Sequence, residues 1–423
     1  MMRKPFHLFQ NQVITAILFF AAKTYSFVPL PHTKRTIQHW HVKMNGPDME
    51  FWDTIAKYQP SCVLYPTAFA ACFRIGAAMA VVNQPRLPDI KGYPVGSKIV
   101  SVPRTCETDE SRVEISNTTG RLRLFYPCEI MEESIRYAPY CTDGRATSDG
   151  MAALVGFRQI GISFLLAHLA NATSGCYEND PPLTQQSFPL LIYSHGYGGN
   201  MDMATYFLRS IATQGVIVAA MEHTDGTASS TVVRDDANDN ATRRLDFDPS
   251  LYSLECGLRI RASEILKALD YIPSLFSNVR DIFLGGHSYG APSALLASQS
   301  SKNISGLVLH DPALSMGYGL LTLPPSLPTV SYTSDEYHRA GIRCGDHTYH
   351  VRGAFHGNFV DAPLWAPLWV MRTLSLIIPA CGPADPNQVH EDLATSVKAF
   401  TMHPVGTVED QLAEEQCTLL ERV

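Results

Sequence analysis

Asp281-Ile-Phe-Leu-Gly-Gly-His-Ser-Tyr-Gly290, continued by Ala291-Pro-Ser-Ala-Leu-Leu-Ala297, is the stretch on which the fold turns. A short apolar run enters a glycine-bounded turn with Ser288 at its centre, and small residues that suit a helix follow. Gly286, Ser288 and Gly290 thus form G-x-S-x-G in a strand–turn–helix setting, the context in which the pattern reads as a nucleophile elbow. The two glycines are required where strand and helix backbones approach too closely for a side chain. The turn pushes the Ser288 hydroxyl clear of the sheet, above a helix N-terminus that favours developing negative charge.

A serine hydroxyl needs a base within hydrogen-bond reach, itself oriented by an acid. With this elbow the expected chain order is Ser, then Asp or Glu, then His, at the carboxyl ends of successive strands. Gly306-Leu-Val-Leu-His310 reads as the next strand, and Asp311 ends it before the strand-stopping Pro312. A competing acid, Asp335 with Glu336 beside it, follows the strand 328–333. The last strand, 347–352, runs into Gly353-Ala-Phe-His-Gly-Asn-Phe359, a glycine-flanked loop that lets His356 swing over the serine as base. His347 and His350 lie within that strand, where side chains alternate, and are expected to pack or to face solvent.

The tetrahedral intermediate also needs backbone donors. The N–H of Tyr289, directly after the nucleophile, is one. Ser194-His-Gly-Tyr-Gly-Gly199 offers the other, with Tyr197 N–H the expected donor; a plain glycine-rich turn is the alternative for this loop.

Upstream of the elbow, strands and helices alternate. Strands are expected over 189–194 and 215–221, with helices over 201–214 and 258–272; downstream, a helix over 289–299 and closing helices within 363–378 and 387–402 complete the pattern. Near-continuous apolar strands alternating with helices predict an α/β fold with a mostly parallel central sheet and helices on both faces. Short β-prone runs at 98–102, 113–116 and 121–126 look like an antiparallel entry to that sheet. Met151 to Ala170 has nearly helical apolar spacing and is expected as one helix, either core or a lid that touches lipid.

The remaining features bound the function. Net charge is -7 with no basic stripe, so nucleic acid is not an expected partner. The ten cysteines show no C-x-x-C or zinc spacing, and residues 236–247 lack the glycine and glutamate of a calcium loop; no cofactor or metal is expected. His39-Trp-His41 lacks further ligands and reads as a surface loop. Arg3 and Lys4 before the apolar run Val13–Ala22 resemble a secretory signal. Cys62 to Val82 is apolar too, but Pro66 and Arg74 argue for a helix on a surface or membrane interface. The organisation expected is a leader over 1–90, a catalytic domain over 91–405 and a polar tail over 406–423. The leader predicts a secreted or membrane-associated protein, the alternative being cytoplasmic with peripheral membrane association.

Four stretches together resemble the platelet-activating factor acetylhydrolases: Arg123-Leu-Phe-Tyr-Pro-Cys128, Pro189-Leu-Leu-Ile-Tyr-Ser-His-Gly196, Val218-Ala-Ala-Met-Glu-His-Thr-Asp225 with Ala228-Ser229, and the elbow itself. The spacing from Ser288 to Asp311 and the closing His356-Gly-Asn-Phe359 are also similar to that family. Tyr289 and Ala291 stand where the family usually has Phe and Gly. The resemblance implies an α/β-hydrolase fold, a Ser288–Asp311–His356 triad and calcium-independent release of acetyl or short sn-2 acyl groups from phospholipid at a lipid or lipoprotein surface. Alternatives on the same fold are a general carboxylesterase, lipase or polyester-type hydrolase, and a binding module without catalysis.

Overall fold

The computed structural model describes residues 92–102, 118–131, 135–158, 161, 163–235, 242–317, 319–321, 327–375, 379–403 and 417–423. The apolar leader segments, His39-Trp-His41, the run 113–116 and the acidic loop 236–241 lie outside the described residues. No helix among the described residues is long and apolar enough to cross a membrane.

The entry to the sheet is antiparallel, as expected: β1 (Val95–Val102) pairs with β2 (Thr118–Pro127), from Val95 opposite Pro127 to Val102 opposite Gly120. Then come β3 (Tyr137–Pro139), helix α1 (Arg145–Leu154), β4 (Thr173–Glu178), β5 (Phe188–Ser194), α2 (Thr205–Thr213) and β6 (Ile217–Met221). A hairpin of β7 (Ser230–Asp235) and β8 (Thr242–Asp246) precedes α3 (Leu254–Tyr271), β9 (Val279–His287), α4 (Gly290–Ser298) and β10 (Gly306–His310). The chain closes with β11 (Thr329–Thr333), α5 (Asp335–Arg339), β12 (His347–Val351), α6 (Leu368–Leu374), α7 (Pro386–Met402) and β13 (Leu420–Arg422).

The strand order is β13-β12-β11-β10-β9-β5-β6-β2-β1-β4-β3. From β12 to β6 every neighbouring pair is parallel. The long apolar strands occupy this middle, and β5, β6, β10 and β11 are buried along their whole length. Pleating divides their side chains between two cores. Leu191, Tyr193, Phe283 and Val308 face Phe207 and Ile211 of α2 and Leu393, Val397 and Phe400 of α7. Leu190, Ile192, Leu284, Leu307 and Leu309 face Ile265 and Leu269 of α3 and Ala291, Ala294 and Leu295 of α4. Truncating one such residue, for instance Leu191→Ala, removes about 2–5 kcal/mol through lost burial and the cavity left behind.

Three expectations change. The single helix over 151–170 is instead α1, ending at Leu154, and a separate 3-10 segment, Ser163–Asn171. Gly156 and Gly161 between them take φ of 79° and 74°, a left-handed backbone that an α-helix does not accept. Apolar periodicity survived the break because both pieces bury residues, Met151 and Ala152 from one and Leu166 and Leu169 from the other, in a shared satellite core. Residues 236–247, a solvated loop by their sequence once the calcium motif fails, include strand β8 of the β7–β8 hairpin. The tail expected over 406–423 ends in an edge strand, Leu420–Arg422, antiparallel to β12.

Candidate active site

The end of β9 delivers Ser288 into the tight turn before α4 with φ of 56°. Among the described residues Asn179, Ser288 and Asp311 are the non-glycine residues with positive φ. Such backbone costs of the order of 1–3 kcal/mol and persists where surrounding contacts over-determine it. At Ser288 they do: its N–H donates to the His310 carbonyl at 2.9 Å, and its own carbonyl accepts the N–H groups of Ala291 at 3.1 Å and Ala313 at 3.2 Å. The expected close approach is present, since a side chain on Gly290 would meet the carbonyls of Ser194 and His195, and one on Gly286 would meet the Gly290 backbone.

Asp311 ends β10, the strand beside β9, with its side chain fully buried and φ of 42°. Its N–H donates to the Tyr332 carbonyl at 2.8 Å. One carboxylate oxygen accepts the Ser334 N–H at 2.6 Å, and the other accepts from His356 Nδ1 at 2.8 Å. That second bond places the proton on Nδ1 and leaves Nε2 with its lone pair, the state a general base requires.

His356 opens the short 3-10 turn His356–Phe359, beyond β12. The turn is held at its base: Gly357 N–H donates to Pro379 at 2.8 Å, while Asn358 Oδ1 accepts the N–H groups of Phe355 at 2.9 Å and Gly382 at 2.7 Å. The imidazole remains about a quarter exposed and stacks on Tyr337, whose ring lies 5.2 Å away at an interplanar angle of 7°. Burial pushes the Tyr337 hydroxyl well above the usual phenol range, so it stays protonated. The His287 ring is 4.4 Å from that of His356. Burial, then repulsion from His356, holds His287 well below the usual histidine range, so it brings no competing positive charge.

Asp335, the competing acid, lies elsewhere. Its Oδ1 accepts from His350 Nε2 at 2.8 Å and from the Gly353 N–H at 3.0 Å. It follows β11, two strands from the serine strand, whereas Asp311 follows the adjacent one. Each strand step is about 4.8 Å, so the nearer rim position is Asp311. His350 is half-buried on its strand, where it pairs with Asp335 and stacks on His338 with ring centres 4.0 Å apart.

The loop Ser194–Gly199 runs beside the elbow. A side chain on Gly196 would come within 3.0 Å of Ser288 Cβ, and the Tyr197 ring stands edge-on to Tyr289 at 6.0 Å. The loop is pinned on both flanks, by Gly198 N–H donating to Thr227 at 2.8 Å and Ser229 N–H donating to Gly199 at 2.8 Å. Structure therefore brings Ser288, Asp311, His356, Tyr197 and Tyr289 to one rim of the sheet. Sequence reasoning passed over Tyr337 and Ser334, since no spacing links α5 and its N-cap to the elbow, and gave no role to His287 although it stands in the elbow itself. Metal-ligand chemistry among the described residues gathers at His287, Asp311 and His356, whose ligand atoms lie within 4.8 Å of one another. Within this group Asp311 and His356 are already hydrogen-bonded to each other at 2.8 Å.

Residues 79–280 match the family model described as platelet-activating factor acetylhydrolase, isoform II, so Ser288, Asp311 and His356 all lie outside the matched segment. A putative phospholipase A2 of Schizosaccharomyces pombe is 27% identical over 387 residues, covering 69% of this chain and 87% of the relative. A platelet-activating factor acetylhydrolase of Bos taurus is 28% identical over 346 residues, covering 71% of this chain and 74% of the relative. Among solved structures, a ferulic acid esterase from Streptomyces cinnamoneus superposes with a TM-score of 0.54 at 18% identity, over 74% of this chain and 91% of that one. That likeness, with the parallel sheet and its helices, shows the α/β-hydrolase fold.

Proposed function

We propose that this carboxylic ester hydrolase, a relative of the platelet-activating factor acetylhydrolases, cleaves the sn-2 acetyl or short acyl ester of phospholipids such as platelet-activating factor through an acyl-enzyme on Ser288. The observation that carries this reading is the 2.8 Å bond from His356 Nδ1 to buried Asp311, on the same rim as the strained Ser288. Ser288 Oγ attacks the ester carbonyl while His356 Nε2 takes its proton, and Asp311 stabilises the imidazolium that forms. The oxyanion accepts from the N–H groups of Tyr197 and Tyr289. Collapse breaks the bond to the sn-2 oxygen, which leaves as a lysophospholipid with the proton from His356. Water, deprotonated by His356, then attacks the acyl-enzyme and releases the short carboxylic acid. No step calls on a metal, so turnover should survive a chelator.

The substrate class is supported by the names of the sequence relatives, which are a phospholipase and acetylhydrolases. In this reading residues 91–405 form the catalytic domain, working at a lipid surface, and 1–90 form a leader that directs secretion or membrane association. Five buried cysteines, Cys128, Cys141, Cys176, Cys344 and Cys381, are free thiols, which also suits the cytoplasmic alternative. Sequencing the mature N-terminus decides between them.

The test compares hydrolysis of a 2-acetyl phospholipid, a long-chain phospholipid and p-nitrophenyl acetate by the full chain and by Ser288→Ala. The expected result is preferential turnover of the acetyl phospholipid and fluorophosphonate labelling that Ser288→Ala abolishes. Turnover of the activated ester alone would remove the phospholipid substrate and leave a general esterase. Labelling that persists in Ser288→Ala would remove the nucleophile assignment.

A further inference from the structure

Helix α3 carries two arginines two residues apart, which places them on opposite faces. Arg259 is exposed beside Glu255, whereas the Arg261 side chain is completely buried. Removing a guanidinium from water costs several kcal/mol unless its donors are matched. Here they are matched by the backbone of the loop beside Ser288. Nε donates to Asp225 at 2.9 Å, Nη1 to the His195 carbonyl at 2.6 Å, and Nη2 to Thr227 Oγ1 and, at 3.5 Å, to the Gly196 carbonyl. Asp225 in turn accepts the Thr227 N–H at 3.1 Å, and the Thr227 carbonyl accepts the Gly198 N–H at 2.8 Å. The same guanidinium lies over the Tyr289 ring, 4.8 Å from its centre.

Peptide planarity converts these contacts into an aim for the donors. In a trans peptide the carbonyl and the following N–H point in opposite directions. The Gly196 carbonyl is drawn inward by Gly199 N–H at 3.0 Å and His195 Nδ1 at 2.8 Å, in addition to Arg261, so Tyr197 N–H is turned the other way. The Ser288 carbonyl accepts from Ala291 and Ala313, which fixes Tyr289 N–H in the same manner. One buried cation thus touches the loop that presents the first donor and the side chain of the residue that presents the second.

We propose that Arg261 is the positioning residue of the oxyanion hole, holding the Tyr197 and Tyr289 N–H groups in mutual register for the tetrahedral intermediate. The inference rests on the acyl-enzyme reading of Ser288. It assigns to Arg261 a share in transition-state stabilisation beyond the stability any matched buried ion pair provides.

Arg261→Lys keeps the charge and can still reach Asp225, but lacks the planar fork for the loop carbonyls and the flat face over Tyr289. The full chain and this variant are compared in kcat and KM on p-nitrophenyl acetate, in affinity for a trifluoromethyl ketone that adds to Ser288, in pH–rate profile and in Tm. The expected result is a fall in kcat of about 10–100-fold with KM within about threefold, the scale of a displaced catalytic group. Affinity for the tetrahedral adduct should fall by the same factor as kcat/KM, and the profile should keep its midpoint because His356 and Asp311 are untouched.

A lowered Tm with unchanged kcat, or a fall in kcat without loss of adduct affinity, overturns the proposal. If Arg261→Lys does not fold, Tyr289→Leu removes the stacked ring and should show the same paired loss at about 3–10-fold; intact adduct affinity there also overturns it. Failure of the underlying reading looks different, since the unmodified chain itself would then neither label with fluorophosphonate nor bind the ketone.

Discussion

Replacing Asp311 by Asn separates the proposed acid from its neighbour Asp335 with little change in shape. Asn tolerates the left-handed backbone that Asp311 adopts at φ 42°, so the turn itself should persist. The carboxylate uses one oxygen for the Ser334 N–H at 2.6 Å and the other for His356 Nδ1 at 2.8 Å. An amide can satisfy only one of these. With its oxygen on Ser334, its NH2 faces Nδ1, which must give up its proton, and Nε2 then carries the hydrogen and cannot accept one from Ser288. With the amide turned over, two N–H groups confront each other in a fully buried site at a cost of about 1–3 kcal/mol, and the charge that stabilises imidazolium is absent in either case. The first arrangement is the cheaper, and kcat should fall about 10⁴-fold, or about 5.4 kcal/mol in the barrier. Asp335→Asn, whose carboxylate serves His350 and Gly353, should stay within about tenfold of the parent. Steady-state hydrolysis of p-nitrophenyl acetate at pH 7–8, with Tm as a folding control, measures both. A loss below tenfold in Asp311→Asn, or a larger loss in Asp335→Asn, would refute the assignment of the acid.

Two further outcomes follow from the same frame. Asp361 accepts from Tyr140 Oη at 3.0 Å and from the N–H groups of Tyr206 at 2.8 Å and Phe207 at 3.2 Å, yet burial raises its pKa to about 7. With the folded value above the unfolded one, the native state holds the extra proton, so stability falls as pH rises from about 4 to 7 and then levels off. Asp361→Asn should remove about 1.4 kcal/mol per pH unit of that slope, read from urea denaturation across the window; parallel curves for both proteins would count against it. Gly290→Ala places a methyl group against the carbonyls of Ser194 and His195 and should cost more than about 4 kcal/mol, whereas Ala291→Gly one residue on should cost about 1 kcal/mol. Thermal unfolding of the pair checks this, and equal Tm values would show that strand and helix are not in forced contact.

Much of the architecture was legible because its causes are local. Strands β5 and β10 carry nearly continuous apolar runs, and the boundaries of the fully buried strands shifted by no more than about two residues, the ordinary fraying of element ends. The elbow was legible because Gly286 and Gly290 have no substitute where backbones touch. The break after Leu154 was not, since apolar spacing records what is buried and not the backbone that buries it. The β7–β8 hairpin escaped because the Asp- and Asn-rich run from Asp235 to Asn240 gave the stretch the texture of a loop. Tyr337 and Arg261 escaped because no sequence period relates α5 or α3 to a turn many residues away.

By itself the sequence named the candidates for the chemistry: a serine in a glycine-bounded turn after one strand, two acids after later strands, a histidine in a glycine-flanked loop, and two stretches of backbone able to face them. Those assignments depend on residue type and strand order, and both are written along the chain. Only the tertiary structure sets Asp311 on the strand beside β9 and against His356, and Asp335 one strand further out against His350. It also placed Tyr337 against His356 and Arg261 beneath the Ser194–Gly199 loop. Contacts of that kind arise when distant elements pack on a shared sheet, and a linear pattern carries no trace of them until the sheet exists.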